Sequence, residues 1–164
     1  YTFGNAGTLY RNAPTCEDEA QYNIIYPLAA QLVFGDCSPL ESSTTKMLDP
    51  RVKPMVERIE FHQYPEYDKV FPGKRLSHVQ ITLNDGRVLK SSPYEPKGDH
   101  NADVTIQDLV EKAHKINELY APKDLVDEFV DAVLNTDPSE PFAKVLEPIK
   151  KLAATNIHPE IEFI

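Results

Sequence analysis

The longest apolar-rich stretch of the chain runs from Thr15 to Gly35. Its apolar residues recur at helical spacing and cover nearly every side: Tyr22, Ile25, Ala29, Leu32 and Val33, with Ile24, Leu28 and Phe34 widening the stripe. Thr15 and the acidic residues at 17–19 are typical of a helix N-terminus, where hydroxyl and carboxylate groups suit the unpaired backbone amides. Pro27 inside the stretch predicts a bend. The pattern therefore predicts one buried, bent helix.

Two shorter helices are predicted next. Ser38-Pro39 and Asp49-Pro50 each place a capping residue before a proline that suits the first helical position. The first helix should reach about Leu48, and the second should end at Arg58.

The hydrophobic period then changes from helical to alternating. Residues 59–63 alternate as a strand does, and the segments 77–83 and 88–92 flank the turn sequence Asn84-Asp85-Gly86. Alternation divides the first arm of this hairpin into two faces: Val79, Ile81 and Leu83 on one, and His78, Gln80 and Thr82 on the other.

Helical periodicity returns after residue 104. Thr105 with Asp108 predicts a capped amphipathic helix to Tyr120, followed by a second helix that ends near Asn135. A third should begin at Pro138 or Ser139 and pass Pro148 to about Leu152, and the terminal IEFI alternation could add an edge strand. Helices, then antiparallel strands, then helices predict an α+β fold.

The charge and the apolar content of the chain argue against two classes of binding partner, nucleic acids and membranes. The net charge of −9 argues against a nucleic-acid surface, which needs clustered Lys and Arg. No apolar run approaches the roughly 20 residues of a membrane span, so a membrane partner is not expected either. Local catalytic motifs such as G-x-S-x-G, H-E-x-x-H, C-x-x-C and the Walker sequence are absent, and the five histidines fit no metal-site spacing.

Several segments together resemble a known family. EAQYNIIYPLAAQLVFGD, DPRVKPMVERIEF, VQITLNDGRVL and YEPKGD occur in this order, followed by the capped helix. In order and spacing they resemble the C-terminal part of the MmgE/PrpD family, over about Pro14 to Leu134. That family includes 2-methylcitrate dehydratase, cis-aconitate decarboxylase and iminodisuccinate epimerase.

The resemblance implies a two-domain, homodimeric enzyme whose active site lies between a large all-helical domain and an α+β lid. Residues 1–121 would form the lid, and the helices of 122–164 would pack on the all-helical domain, an N-terminal partner absent from this sequence. Such enzymes act on small di- and tricarboxylates without a metal or organic cofactor, in the cytoplasm or the mitochondrial matrix. Their catalytic His and Lys residues lie mainly upstream. The start at Tyr1 without Met fits a severed enzyme, so this chain alone should be inactive.

The resemblance also indicates two site residues. Tyr26 matches a tyrosine that faces the substrate, to which a phenol can donate a hydrogen bond, although a buried core position is the alternative. Lys97 lies in a loop motif of the family and is a substrate-binding candidate, although a turn is the alternative. Dehydratase chemistry is the leading interpretation. Decarboxylation, epimerisation and a non-catalytic binding or assembly module remain open.

Overall fold

A computed structural model of the chain describes residues 1–99 and 103–155. Within them lie eight α-helices and a two-stranded antiparallel sheet, which confirms the predicted α+β class. The helices are α1 (Glu17–Gln21), α2 (Tyr26–Phe34), α3 (Thr44–Met47), α4 (Val52–Val56), α5 (Pro65–Asp68), α6 (Ile106–Asn117), α7 (Lys123–Asn135) and α8 (Ala143–Ala153), and the strands are β1 (Gln80–Thr82) and β2 (Val88–Lys90). In this part of the chain, no helix has both the length and the apolar character needed to cross a membrane.

The chain forms two compact units. The first comprises Tyr1–Cys37 with Thr44–Val104, and the second comprises Ser38–Ser43 with the segment that begins at Thr105. The core of the first unit is built where α2 packs on α4. Its buried residues are Ala20, Ile25, Tyr26, Ala29, Ala30, Met47, Val52 and Val56.

The long apolar stretch is divided into α1 and α2, so the prediction of one bent helix is wrong. Residues between the two helices pair with Tyr10, whose amide donates to Tyr22 O (3.1 Å) and whose carbonyl accepts from the Ile24 amide (2.8 Å). Asn23 Oδ1 then accepts from the amides of Ile25 and Tyr26, both at 2.8 Å. Pro27 lies in the first turn of α2, where its missing N–H removes no helical hydrogen bond. The proline therefore helps to begin a helix and does not bend one.

The N-terminus of α1 also differs from the prediction. Cys16 is the N-cap residue and its side chain makes no capping hydrogen bond. The Thr15 amide and hydroxyl instead both donate to the Glu19 carboxylate, at 2.8 and 2.9 Å. Of the three acidic residues at 17–19, Glu19 is therefore the one that pairs with Thr15.

Residues 38–43 form turns, so the predicted helix from Ser38 is reduced to α3. The Ser38 amide and hydroxyl both donate to Glu41 Oε2, at 2.9 and 2.5 Å, and these bonds hold a turn. The helix predicted after Asp49-Pro50 is confirmed as α4.

The hairpin prediction is confirmed. Gln80, Ile81 and Thr82 pair with Lys90, Leu89 and Val88 respectively. The Leu83 amide donates to Arg87 O (2.8 Å), and Gly86 takes the positive φ of 85° that the turn needs. Residues 59–63, in contrast, form only one bridge, from Gln63 to Thr2, so the prediction of a strand there is wrong. Most of that segment has no neighbouring strand to pair with in the described residues.

The second unit contains α6, α7 and α8, and α7 packs against both of its neighbours. The predicted capping box of α6 is confirmed, because Thr105 Oγ1 accepts from the Asp108 amide and the Asp108 carboxylate accepts from the Thr105 amide. The end of α7 at Asn135 and the passage of α8 through Pro148 are also as predicted. The IEFI segment lies outside the described residues.

Candidate functional site

Tyr26, the candidate from the family resemblance, is the first residue of α2 and is completely buried, with 0% of its surface exposed. Asn23 fixes its backbone through the amide hydrogen bond given above. The phenol ring belongs to the core between α2 and α4. The structure therefore places Tyr26 as a packed side chain within its unit.

Lys97, the second candidate, lies exposed on a turn before Gly98, which has a φ of 92°. Two basic residues that could have held a carboxylate substrate are engaged with this same loop. Arg75 forms an ion pair with Asp99, and Lys74 Nζ lies 3.9 Å from Glu95 Oε2.

A cavity of about 600 Å³ lies in the first unit. Helices α2 and α4 contribute apolar side chains to it, including Leu28, Leu32 and Met55. Strand β1 and the extended segment at 59–62 form its other walls. Arg58 is the one arginine among its lining residues.

Aromatic rings are stacked at one end of this cavity. The Tyr1 ring lies between two imidazoles, with ring centroids 5.0 Å from His62 and 4.7 Å from His78. The Tyr64 ring lies nearly perpendicular to the Tyr1 and His78 rings, with centroid distances of 6.2 and 5.5 Å. The stack joins the first residue of the chain to two segments that are far away in the sequence.

The buried His78 imidazole is held in one protonation state. Tyr67 Oη lies 2.7 Å from His78 Nδ1. Burial raises the pKa of the Tyr67 phenol, with a further contribution from Tyr64, so Tyr67 is the donor. Burial also lowers the pKa of His78, assisted by the charges of Lys90 and the terminal amine. The imidazole is thus neutral at neutral pH, with Nδ1 accepting and the proton on Nε2.

These features limit the chemistry that the cavity offers. A neutral imidazole can donate one hydrogen bond from Nε2, but it supplies no positive charge for a carboxylate. The carboxylate of Glu60 lies on the same rim, 3.0 Å from His62 Nε2. Within the described residues, no group of three or more His, Cys, Asp or Glu side chains could hold a metal ion.

Sequence alternation missed the burial of His78, which it grouped with Gln80 and Thr82. Those two residues are exposed, whereas His78 is only 5% exposed. The contacts that bury it come from Tyr1, Tyr64 and Tyr67, and no local periodicity reports contacts at such separations. The sequence shows only that the two segments in contact with His78 are aromatic, at Tyr1 and at Tyr64 and Tyr67.

Comparison with protein families matches residues 3–137 to the MmgE/PrpD C-terminal domain. No curated protein matches the chain. The family match covers most of the sequence, including both helices of the divided apolar stretch, the hairpin, α6 and α7. The chain therefore belongs to the MmgE/PrpD family, of which it carries the C-terminal domain.

Proposed function

We propose that this chain is the lid region of a metal-independent lyase that acts on small di- or tricarboxylates, with 2-methylcitrate dehydration as the leading reaction. The observation that carries the proposal is the family match over residues 3–137, because the family is known for dehydratases and related lyases. In such a dehydration a proton leaves the carbon beside a carboxylate, the hydroxyl on the neighbouring carbon leaves as water, and a double bond forms.

The proposal assigns most of the catalytic groups to an N-terminal all-helical domain. Residues 1–121 close over the cleft, and residues 122–164 pack on that domain. Exposed apolar side chains on α7 and α8 support such packing: Val133, Leu134 and Ile149. The homodimer and the cytoplasmic or matrix location remain part of the same proposal.

In this scheme Tyr26 donates a hydrogen bond to the substrate or intermediate, and the Lys97 ammonium attracts a carboxylate. Because Tyr26 is buried within this chain, its contact with substrate requires the wall around α2 to open when the domains assemble. The same burial supports a second candidate, a non-catalytic binding or assembly module that keeps the fold while Tyr26 only fills the core.

Replacement of one hydroxyl separates these two functions. Tyr26→Phe keeps the ring in the core, and we expect turnover in the assembled enzyme to fall about 100-fold, the lower end for a lost proton-donating group. Tyr22→Phe is the matched control, since this tyrosine lies four residues earlier and is 66% exposed. The measurement is turnover together with the denaturation midpoint. Unchanged turnover in Tyr26→Phe at unchanged stability would remove its catalytic role.

Product analysis distinguishes the reactions that share this family. Dehydration of 2-methylcitrate gives an alkene and water, decarboxylation of cis-aconitate releases carbon dioxide, and epimerisation inverts a stereocentre without loss of atoms. When all three substrates are offered to the assembled enzyme, we expect it to dehydrate 2-methylcitrate and to form the corresponding alkene and water. Turnover of none of them would favour the non-catalytic module.

A further inference from the structure

The backbone at Tyr1 and Thr2 is already paired on both sides. On one side the His78 amide donates to Tyr1 O (2.9 Å), and the Tyr1 nitrogen donates to His78 O (3.1 Å). On the other side the Thr2 amide donates to His62 O (3.0 Å), and the Tyr64 amide donates to Thr2 O (2.9 Å). Tyr1 and Thr2 therefore form the end of a strand that lies antiparallel to one neighbour and parallel to the other.

The cavity continues directly from this end. One of its walls is 78–82 and another is 59–62, the same two segments that flank Tyr1 and Thr2. Since one strand is paired to both at Thr2, the two edges are separated there by about two strand spacings, roughly 10 Å. At Thr2, therefore, the space between the two segments has the width of one β-strand.

The free edge of β1 points into this space. The hydrogen bonds from Ser91 to Val79 and from Leu83 to Arg87 show that odd-numbered residues bond to the β2 side. Antiparallel pairing alternates, so Gln80 and Thr82 direct their amides and carbonyls to the opposite side, as His78 does toward Tyr1. Peptide groups that lie along the edge of a sheet can form main-chain hydrogen bonds with an added strand.

The side chains around the cavity define which residues would fit. Ile59, Val79 and Ile81 line the cavity, and Ile59 and Phe61 pack against the core that α2 and α4 share. All four side chains are apolar and partly buried. Glu60 and Gln80, which alternate with these apolar residues along the two segments, are exposed. An added strand must therefore alternate between apolar and polar residues.

We propose that this cavity is a β-strand slot, filled by an extended segment that leads into Tyr1 from its N-terminal side. The residue immediately before Tyr1 lies opposite Phe61 and Val79 and is apolar. The second lies opposite Glu60 and Gln80 and is polar, and the third lies opposite Ile59 and Ile81 and is apolar. The hairpin thereby becomes part of a four-stranded sheet. This inference concerns folding and is independent of the proposed lyase activity.

The register makes the proposal testable with two fused extensions of identical composition. Lys-Val-Lys-Val placed before Tyr1 puts valines in the apolar positions and a lysine beside Glu60. Val-Lys-Val-Lys shifts the same residues by one position and puts lysines against the helices. Both remove the charged amine at Tyr1 equally, so each serves as the control for the other.

Amide hydrogen exchange measured by NMR provides the readout. The added strand should slow exchange at least 10-fold at the amides of Gln80, Thr82 and His62 in the first fusion, and not in the second. Equal exchange rates in the two fusions, whether slowed or not, would overturn the proposal. So would a naturally longer chain with charged residues at the first and third positions before Tyr1.

Discussion

At the scale of single residues, His78 couples the fold to pH. Its imidazole is almost fully buried, accepts a hydrogen bond from Tyr67 and stacks on Tyr1. Burial is the main cause of its lowered pKa, and the charges of Lys90 and the terminal amine act in the same direction. The folded state therefore disfavours the protonated imidazole, whereas the unfolded chain binds a proton near the ordinary value of 6.5.

The sign of the pH dependence follows from this difference. The contribution of His78 to stability is complete above pH 6.5 and is lost as the pH falls below that value, because only the unfolded state takes up the proton at first. We expect the free energy of unfolding to fall between about pH 7 and about pH 5, as measured by urea denaturation. His78→Gln, which keeps an acceptor for Tyr67, should lose this part of the fall.

His62→Gln is the matched control, since it removes the other imidazole of the stack, whose side chain is 47% exposed. Because His78 stays in place, this variant should keep the part of the fall that His78 causes. An identical pH dependence in the parent and in His78→Gln would show that His78 does not titrate between the folded and unfolded states.

At the scale of elements, the features that local sequence determines were predicted correctly, whereas those that depend on contacts between distant segments were not. The periodicities of α6, α7 and α8, the Thr105 cap and the turn at Gly86 are local, and the structure confirms each of them. The break between α1 and α2 depends on pairing between Tyr10 and residues 22–24, which no window of helical periodicity contains. Residues 59–63 alternate like a strand, yet a strand also needs a neighbour.

The candidate site, too, could be predicted only in part from the sequence. The sequence indicated Tyr26 and Lys97 as site residues only through the family resemblance. The alternatives taken from the residues themselves, a buried core position for Tyr26 and a turn for Lys97, are the positions that the structure shows. The stack of His62, Tyr1 and His78 joins three segments, so it becomes visible only when their distances are known.

The capping box of α6 allows an element-level prediction. Thr105→Ala removes the acceptor for the Asp108 amide, and we expect it to lower the free energy of unfolding by about 1 kcal/mol. Thr105→Ser keeps the hydroxyl and should change the free energy of unfolding by only a few tenths of a kcal/mol. Denaturation of the three proteins side by side is the measurement. Equal losses in the Ala and Ser variants would assign the effect to the methyl group and contradict a capping role.

At the scale of the whole molecule, we propose that additional polypeptide covers two surfaces: the exposed apolar residues of α7 and α8, and the strand slot at Tyr1. They fit a domain that works within a larger enzyme. The family match supports the proposed enzyme class, and the proposed division of labour places the main catalytic groups outside this chain.

The most direct test of this account is 2-methylcitrate turnover, followed by the ultraviolet absorbance of the alkene product. We expect turnover when the chain is joined to or assembled with its all-helical domain, and none from the 164-residue chain alone. Dehydration by the isolated chain, or an assembled protein that leaves 2-methylcitrate unchanged, would contradict the account.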